Sequence, residues 1–285
     1  MASDNTIRHH LAASAERLAQ TQNSATASKD AQILMRHALG CDHAFLLANP
    51  GRNLSAEEQR TYLQYISRRE SSEPVQYILG SAEFYGLPLK VDRNVLIPRP
   101  ETEHLVESLL YRVPINEPLA IADVGTGSGA IAIALAFHLP QASLTALDIS
   151  AAALRLAQSN ALLNGVANRV RFLQSDLLLA VGDERFDAVV SNPPYVAEQD
   201  RATLSSQVRD FEPATALFAG PSGLEFYQRL IPQAHAVLKP LGWLLMEVGY
   251  GQQTAIKALL AGWIDVTFVP DLQGIPRVAC ARWAS

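Results

Sequence analysis

A chain of 285 residues, 48% hydrophobic and 18% charged, carries enough apolar material for one large domain and a small one, and global disorder is not expected. Its net charge of −5, with no basic run longer than Arg68-Arg69, argues against a broad electrostatic footprint for duplex nucleic acid. The two cysteines, Cys41 and Cys280, stand in neither a CxxC nor a metal-ligand spacing, so neither a disulfide framework nor a zinc site is expected.

The stretch MASDNTIRHHLAASAERLAQ is polar where a secretion signal would carry an apolar block, which points to the cytoplasm. Residues 1–78 read as a helical bundle. Ile7, Leu11, Ala15 and Leu18 share one face, DAQILMRHALG ends at Gly40 as a C′ residue, and Ser55 and Glu58 have capping-box spacing before the stripe Tyr62, Leu63, Ile66. Residues 79–98 alternate about Gly86-Leu87-Pro88 and predict a β-hairpin linker. From there to residue 285 short apolar runs, LAIADVG, SLTALDI, RVRFLQS, FDAVVSN and GWLLMEVG, alternate with helical stretches. That order predicts an α/β catalytic domain over 99–285, with parallel strands, helices on both faces, and an antiparallel finish in the last two strands. The most apolar segment, Ala130 to Phe137, is too short to span a bilayer. An acidic monomer is the expected state.

DVGTGSGAIAIALA follows the first strand of this alternation and opens a helix. Gly125, Gly127 and Gly129, with Thr126 and Ser128 between them, make a turn against which a cofactor can lie close to the helix N-terminus. The same residues satisfy a dinucleotide fingerprint, so the glycines alone leave NAD and S-adenosylmethionine both open. Three acids stand at or beside strand ends on the ligand-binding edge. Asp148 is placed for ribose hydroxyls, Asp176 for an adenine amino group, and Asp123 for the ammonium that S-adenosylmethionine has and NAD lacks.

VVSNPPY ends the fourth strand of the domain. Pro193 and Pro194 have no N–H, and the following proline pushes Asn192 into an extended conformation, so the segment turns acceptors outward. The Asn192 side-chain oxygen and the Pro193 carbonyl are expected to take the two N–H groups of a planar NH₂, with Tyr195 against its flat face. Two acceptors would offset the charge that develops as an amide nitrogen is alkylated and would hold it in line with a sulfonium methyl. Direct methyl displacement, without metal or covalent enzyme intermediate, is the reaction expected. A nucleic-acid amino-methyltransferase and an NAD-dependent oxidoreductase are the rival readings. The first would need phosphate-neutralising residues, and the second a hydride-handling group where the proline pair stands.

EPVQYILG (73–80), FYGL (84–87), VLIPRPETE (95–103), DVGTGSG, ALDIS, SNPPY, FEPATALFAGPSGLEFYQRLI (211–231) and EVGYGQ (247–252) together resemble the protein-(glutamine-N5) methyltransferases of the PrmC/HemK type. The resemblance implies a seven-stranded Rossmann-like class I methyltransferase fold. It implies S-adenosylmethionine as cofactor, with S-adenosylhomocysteine as product, at Gly125 to Gly129 with Asp148 on its ribose. It further implies that Asn192 to Tyr195 hold a glutamine of the Gly-Gly-Gln loop of bacterial class-1 peptide chain release factors, which the N-terminal bundle grips. Pro98, Arg99 and Glu101 of the IPRPE loop, and Glu212, are then expected to shape the site. Two positions depart from the family pattern. Leu177 follows Asp176 where an aromatic residue is common, so adenine would meet an aliphatic surface, and Ile275-Pro276 replaces charged residues before Arg277, so that turn receives no role.

Overall fold

The computed structural model describes residues 5–21 and 24–284, so the first four residues of the polar N-terminal stretch lie outside the described residues. The chain divides into two compact units, one comprising residues up to Gly80 with Ser205–Phe211, the other Ser81–Leu204 with Glu212–Ser285.

The first unit holds α1 (Ile7–Thr21), α2 (Ser24–Leu39), α3 (His43–Ala48), α4 (Ala56–Glu70) and α5 (Val75–Leu79). Local signals set their ends. Ser55 and Glu58 form both bonds of the capping box at the start of α4, and Gly40 follows α2 with φ +60°, where an L side chain would be strained. Ile7 and Leu18 of α1, Leu34 and Met35 of α2, and Tyr62 and Ile66 of α4 are fully buried against one another. One member of the basic pair Arg68-Arg69 is also inside: Arg69 is buried, donating to Asp30 at 2.8 Å and to the Glu73 carbonyl at 3.2 Å.

The second unit opens with the hairpin of β1 (Ser81–Phe84) and β2 (Leu87–Lys90). Its two-residue turn, Tyr85-Gly86, has φ of 52° and 73°, the sign that matches the twist of paired strands. Then come α6 (Glu103–Leu110), β3 (Ala120–Val124), α7 (Ala130–His138), β4 (Ser143–Asp148), α8 (Ala151–Leu163), β5 (Val170–Gln174), β6 (Phe186–Ser191) and β7 (Val196–Ala197). The helix α9 (Ser206–Phe211) belongs to the first unit. It is followed by α10 (Ala214–Leu217), β8 (Phe218–Gly220), α11 (Glu225–Val237), β9 (Leu238–Glu247), α12 (Gln253–Leu259), β10 (Ile264–Pro270) and β11 (Pro276–Arg282).

The seven-stranded sheet has the order β10-β11-β9-β6-β3-β4-β5. Pairs among β9, β6, β3, β4 and β5 are parallel, while β11 runs antiparallel to both its neighbours, so the α/β layers and the antiparallel finish are those the apolar runs predict. The central strands are buried on both faces because separate apolar clusters cover the two sides, which is why they read as continuous apolar runs. The chain leaves β3 toward β4 and β5, then returns to place β6 on the other side of β3. This reversal opens a crevice at the carboxyl ends of β3, β4 and β6, the place where open α/β sheets bind ligands. Among the described residues, no helix is long and apolar enough to cross a membrane.

Candidate active site

A cavity occupies that crevice. Its walls include Gly125 to Ser128 after β3, Asp148 at the end of β4, Asp176 and Leu177 after β5, and Asn192 and Pro194 after β6, with Pro98 and Arg99 on the loop before α6. Four separate strand ends therefore bring together residues that the sequence places far apart.

The glycine turn is pinned to β4. Gly125 and Thr126 both donate to the Leu147 carbonyl, at 2.8 and 2.9 Å, and Gly127 donates to Asp148 Oδ2 at 2.9 Å. Gly125 and Gly127 have φ of +73° and +55°, and a Cβ on Gly125 would project into open space, so these glycines let a ligand approach the backbone. Gly129 differs. With φ +84°, its Cβ would lie 2.9 Å from Ile133 Cδ1 and 3.1 Å from Ala157 Cβ, so it permits α7 to pack on α8 and does not line the cavity. Asp148 keeps both oxygens on the backbone, Oδ1 accepting from Ser150 at 2.8 Å, which holds the carboxylate still at the cavity wall. Burial pushes its carboxyl above the ordinary value against those backbone bonds.

Asp123 requires a correction. It is fully buried beneath the turn and absent from the cavity wall, with Oδ2 accepting from Thr126 Oγ1 at 2.6 Å and from the Ala132 amide at 3.1 Å. It ties the turn to the start of α7, and burial pushes its carboxyl up to about 7. Its Oδ1 is buried without a hydrogen-bond partner. Asp176 does line the cavity, but its carboxylate is ion-paired with Arg229 of α11, so it meets a ligand already engaged. Leu177, buried with φ 52°, supplies the aliphatic wall that its place after Asp176 implies.

Asn192 reaches the cavity wall, and Pro193 and Tyr195 are set back from it. The Asn192 amide donates through Nδ2 to Thr102 Oγ1 at 3.0 Å. The Thr102 hydroxyl in turn donates to Glu247 Oε2 at 2.6 Å, and the Tyr195 hydroxyl donates to Glu247 Oε1 at 3.3 Å. Tyr195 therefore spends its phenol on a buried carboxylate, and its ring packs on the core behind the wall, away from the flat-face position expected of it. Among the described residues no group donates to Asn192 Oδ1. Glu247, Thr102 and Asn192 belong to three separate motifs, EVGYGQ, IPRPETE and SNPPY, and only the fold joins them. Asn160 of α8 escapes sequence reading altogether. It accepts from the Lys90 amide at 2.7 Å and donates to the carbonyls of Lys90 and Ser128, both at 2.9 Å, bracing the glycine turn against the hairpin.

Arg99 lines the cavity and donates through Nη2 to both oxygens of buried Glu212, at 2.6 and 2.7 Å. Glu101 is absent from the wall, and in its place Thr102 faces the cavity.

Burial pushes the Glu247 carboxyl up to about 7, against the pull of the Thr102 and Tyr195 bonds. A folded value above the unfolded one means that the native state holds the extra proton. This group's contribution to stability is fully present below about 4.5 and is lost as pH rises through about 7. Glu247→Gln is therefore expected to stabilise the protein at pH 8 by on the order of 2 kcal/mol and to change it far less at pH 5. Unfolding midpoints of both proteins at the two pH values check this, and equal midpoints at pH 8 would refute it.

Residues 10–80 match the PrmC N-terminal domain and residues 102–211 the methyltransferase small domain. A release factor glutamine methyltransferase of Koribacter versatilis is 47% identical over 253 residues, covering 88% of this chain and 90% of that protein. This chain belongs to the release factor glutamine methyltransferase family. The family's member from Escherichia coli is 40% identical over 270 residues, 94% of this chain and 96% of that protein. Among solved structures, the hMettl16 catalytic domain in complex with MAT2A 3′UTR hairpin 6 superposes with a TM-score of 0.56 at 22% identity, over 80% of this chain and 82% of that one. A methyltransferase from Pyrococcus furiosus gives 0.51 at 18% identity, over 70% and 89%. These two likenesses establish the class I methyltransferase fold. Within the release factor glutamine methyltransferase family, the departure at Ile275-Pro276 is a closed turn here. Asp271 accepts from the amides of Gln273 and Ile275 and pairs with Arg277 at 2.9 Å.

Proposed function

We propose that this protein transfers a methyl group from S-adenosylmethionine to the side-chain N5 of the glutamine in the Gly-Gly-Gln loop of class-1 peptide chain release factors, in support of translation termination. The observation that carries the reading is the Asn192 oxygen, to which no described residue donates, at the wall of a cavity built on the glycine turn. The residues fit the cofactor on two counts. Gly125 leaves open space beside the backbone of the turn, and Asp148 lines the cavity with a carboxylate fixed by backbone amides, an acceptor for ribose hydroxyls. When bound, S-adenosylmethionine supplies an electrophilic methyl group on a positively charged sulfur.

The chain's own residues do the rest. Asn192 Oδ1, at the cavity wall, accepts an N–H of the substrate amide, which orients the nitrogen and offsets the positive charge that grows on it. Leu177 covers the adenine, and Arg99, held by Glu212, keeps the IPRPE loop in the wall. The N-terminal helical region grips the release factor, the hairpin that sequence places in a linker is part of the catalytic unit, and the enzyme works as a cytoplasmic monomer where that substrate is found.

Incubation of the protein with methyl-labelled S-adenosylmethionine and a purified class-1 release factor, followed by peptide mapping, tests the reading. Label on the Gly-Gly-Gln glutamine is expected. Label on any other residue, or on nucleic acid alone, would overturn it.

A further inference from the structure

An asparagine amide has an acceptor end and a donor end of nearly equal size, and methyl transfer to an amide nitrogen needs the acceptor end in the cavity. Something must choose between them. Among the described residues the Asn192 side-chain amide has one partner, the Thr102 hydroxyl, and a hydroxyl has a single proton. That proton goes to Glu247 Oε2 at 2.6 Å, so Thr102 is left to accept, and only the NH₂ end of Asn192 can meet it. The Oδ1 end is thereby turned to the cavity. We infer that Glu247, acting through the Thr102 hydroxyl, is the positioning residue that decides which end of the Asn192 amide faces the substrate.

This deepens the methyl-transfer reading and rests on it. Glu247 touches no cavity surface, so it acts only through the chain of two hydrogen bonds. Its charge state sets the direction of that chain. An ionised carboxylate is an acceptor only, which forces the order just described. A protonated one carries its own O–H, which can donate to Thr102, and the Thr102 proton is then free to bond Asn192 Oδ1. The amide would turn over and present N–H groups to an incoming N–H donor. The groups around Glu247 bear on where this happens. Glu101 beside Thr102 raises the carboxyl, Arg277 on β11 lowers it, Tyr195 bonds the second oxygen, and Tyr227 of α11 bonds the Glu247 backbone carbonyl at 2.8 Å. Burial outweighs these charges and raises the carboxyl to about 7, which puts the proposed reversal of the chain within reach of a pH titration.

The experiment uses the full-length protein with selectively ¹⁵N-labelled asparagine. The side-chain amide signals of Asn192, identified by their loss in Asn192→Asp, are followed from pH 5.5 to 8.5. In the parent protein they are expected to shift with a midpoint near 7, and in Glu247→Gln to stay constant over the same range. Asp123 also titrates near 7 but remains in both proteins, so the comparison isolates Glu247. In parallel, Thr102→Val is expected to lower kcat for release-factor methylation by about 10- to 100-fold with little change in KM for the methyl donor, and Thr102→Ser to recover most of it. Asn192 signals indifferent to pH in the parent, or signals that still titrate in Glu247→Gln, would overturn the inference, as would Thr102→Val turning over like the parent. The spectra need no substrate, so a parent protein that shows the titration but leaves release factor unlabelled would remove the proposed function and leave the positioning chain standing.

Discussion

Replacing Asn192 with Ala is expected to lower kcat for methyl transfer by about 10²- to 10³-fold, the usual effect of removing one preorganised group aimed at developing transition-state charge. The physical basis is the position of the side chain. Asn192 directly follows β6, its Nδ2 held at 3.0 Å by Thr102, and among the described residues nothing donates to its oxygen. The acceptor matters most as positive charge grows on the attacking nitrogen, so binding of the methyl donor should change little. Two measurements separate the effects: single-turnover methylation of the release factor, and the rise in melting temperature that S-adenosylmethionine produces. A large rate loss with an unchanged thermal shift is the expected pair. Full turnover by Asn192→Ala would take this residue out of the mechanism, and loss of the thermal shift would relocate its role to the cofactor.

Arg99→Met should destabilise the catalytic unit by about 3 kcal/mol, because it strands the carboxylate of Glu212 in a buried site without its partner. Arg99 contacts both Glu212 oxygens, and the Glu212 side chain is 1% exposed. Burial already holds the Glu212 carboxyl above its ordinary value despite the guanidinium beside it, so removing that charge leaves only the unfavourable influence. The double variant Arg99→Met with Glu212→Leu removes both charges and should recover most of the loss, since a buried ion pair stabilises little relative to an apolar pair of similar volume. Denaturant unfolding of the three variants against the parent at pH 8 measures this. A double variant no more stable than Arg99→Met alone would mean that the pair does more than neutralise Glu212.

Much of this architecture is legible along the chain. The apolar runs are continuous where strands are covered on both faces, Ser150 caps the helix that follows β4, and the capping box at Ser55 forms as its spacing requires. The glycine turn and the proline pair are local too, because tolerance of the positive φ seen at Gly125 and the missing N–H groups of Pro193 and Pro194 are properties of those residue types. Asp148 and Asn192 reach the cavity for the same reason: each sits at a strand end that its own neighbours define.

Other features depend on packing that no local signal encodes. Asp123 and Asp148 look alike in sequence, one acid at the end of each of two neighbouring strands. Yet the first lies under the glycine turn, bonded to Thr126 and the α7 backbone, and the second lines the cavity. Asp176 is bound to Arg229, and Tyr195 gives its hydroxyl to Glu247, because α11 and β9 happen to arrive beside them. The Thr102–Asn192 and Thr102–Glu247 bonds join residues 90 and 145 positions apart, and Asn160 meets Lys90 across 70. Periodicity and turn chemistry report the conformation of a few consecutive residues, whereas the partner of a buried polar group is set by which strand end or helix the folded chain lays against it. The chemistry of the cavity is thus written at its strand ends, and its orientation comes from side chains that only folding makes neighbours.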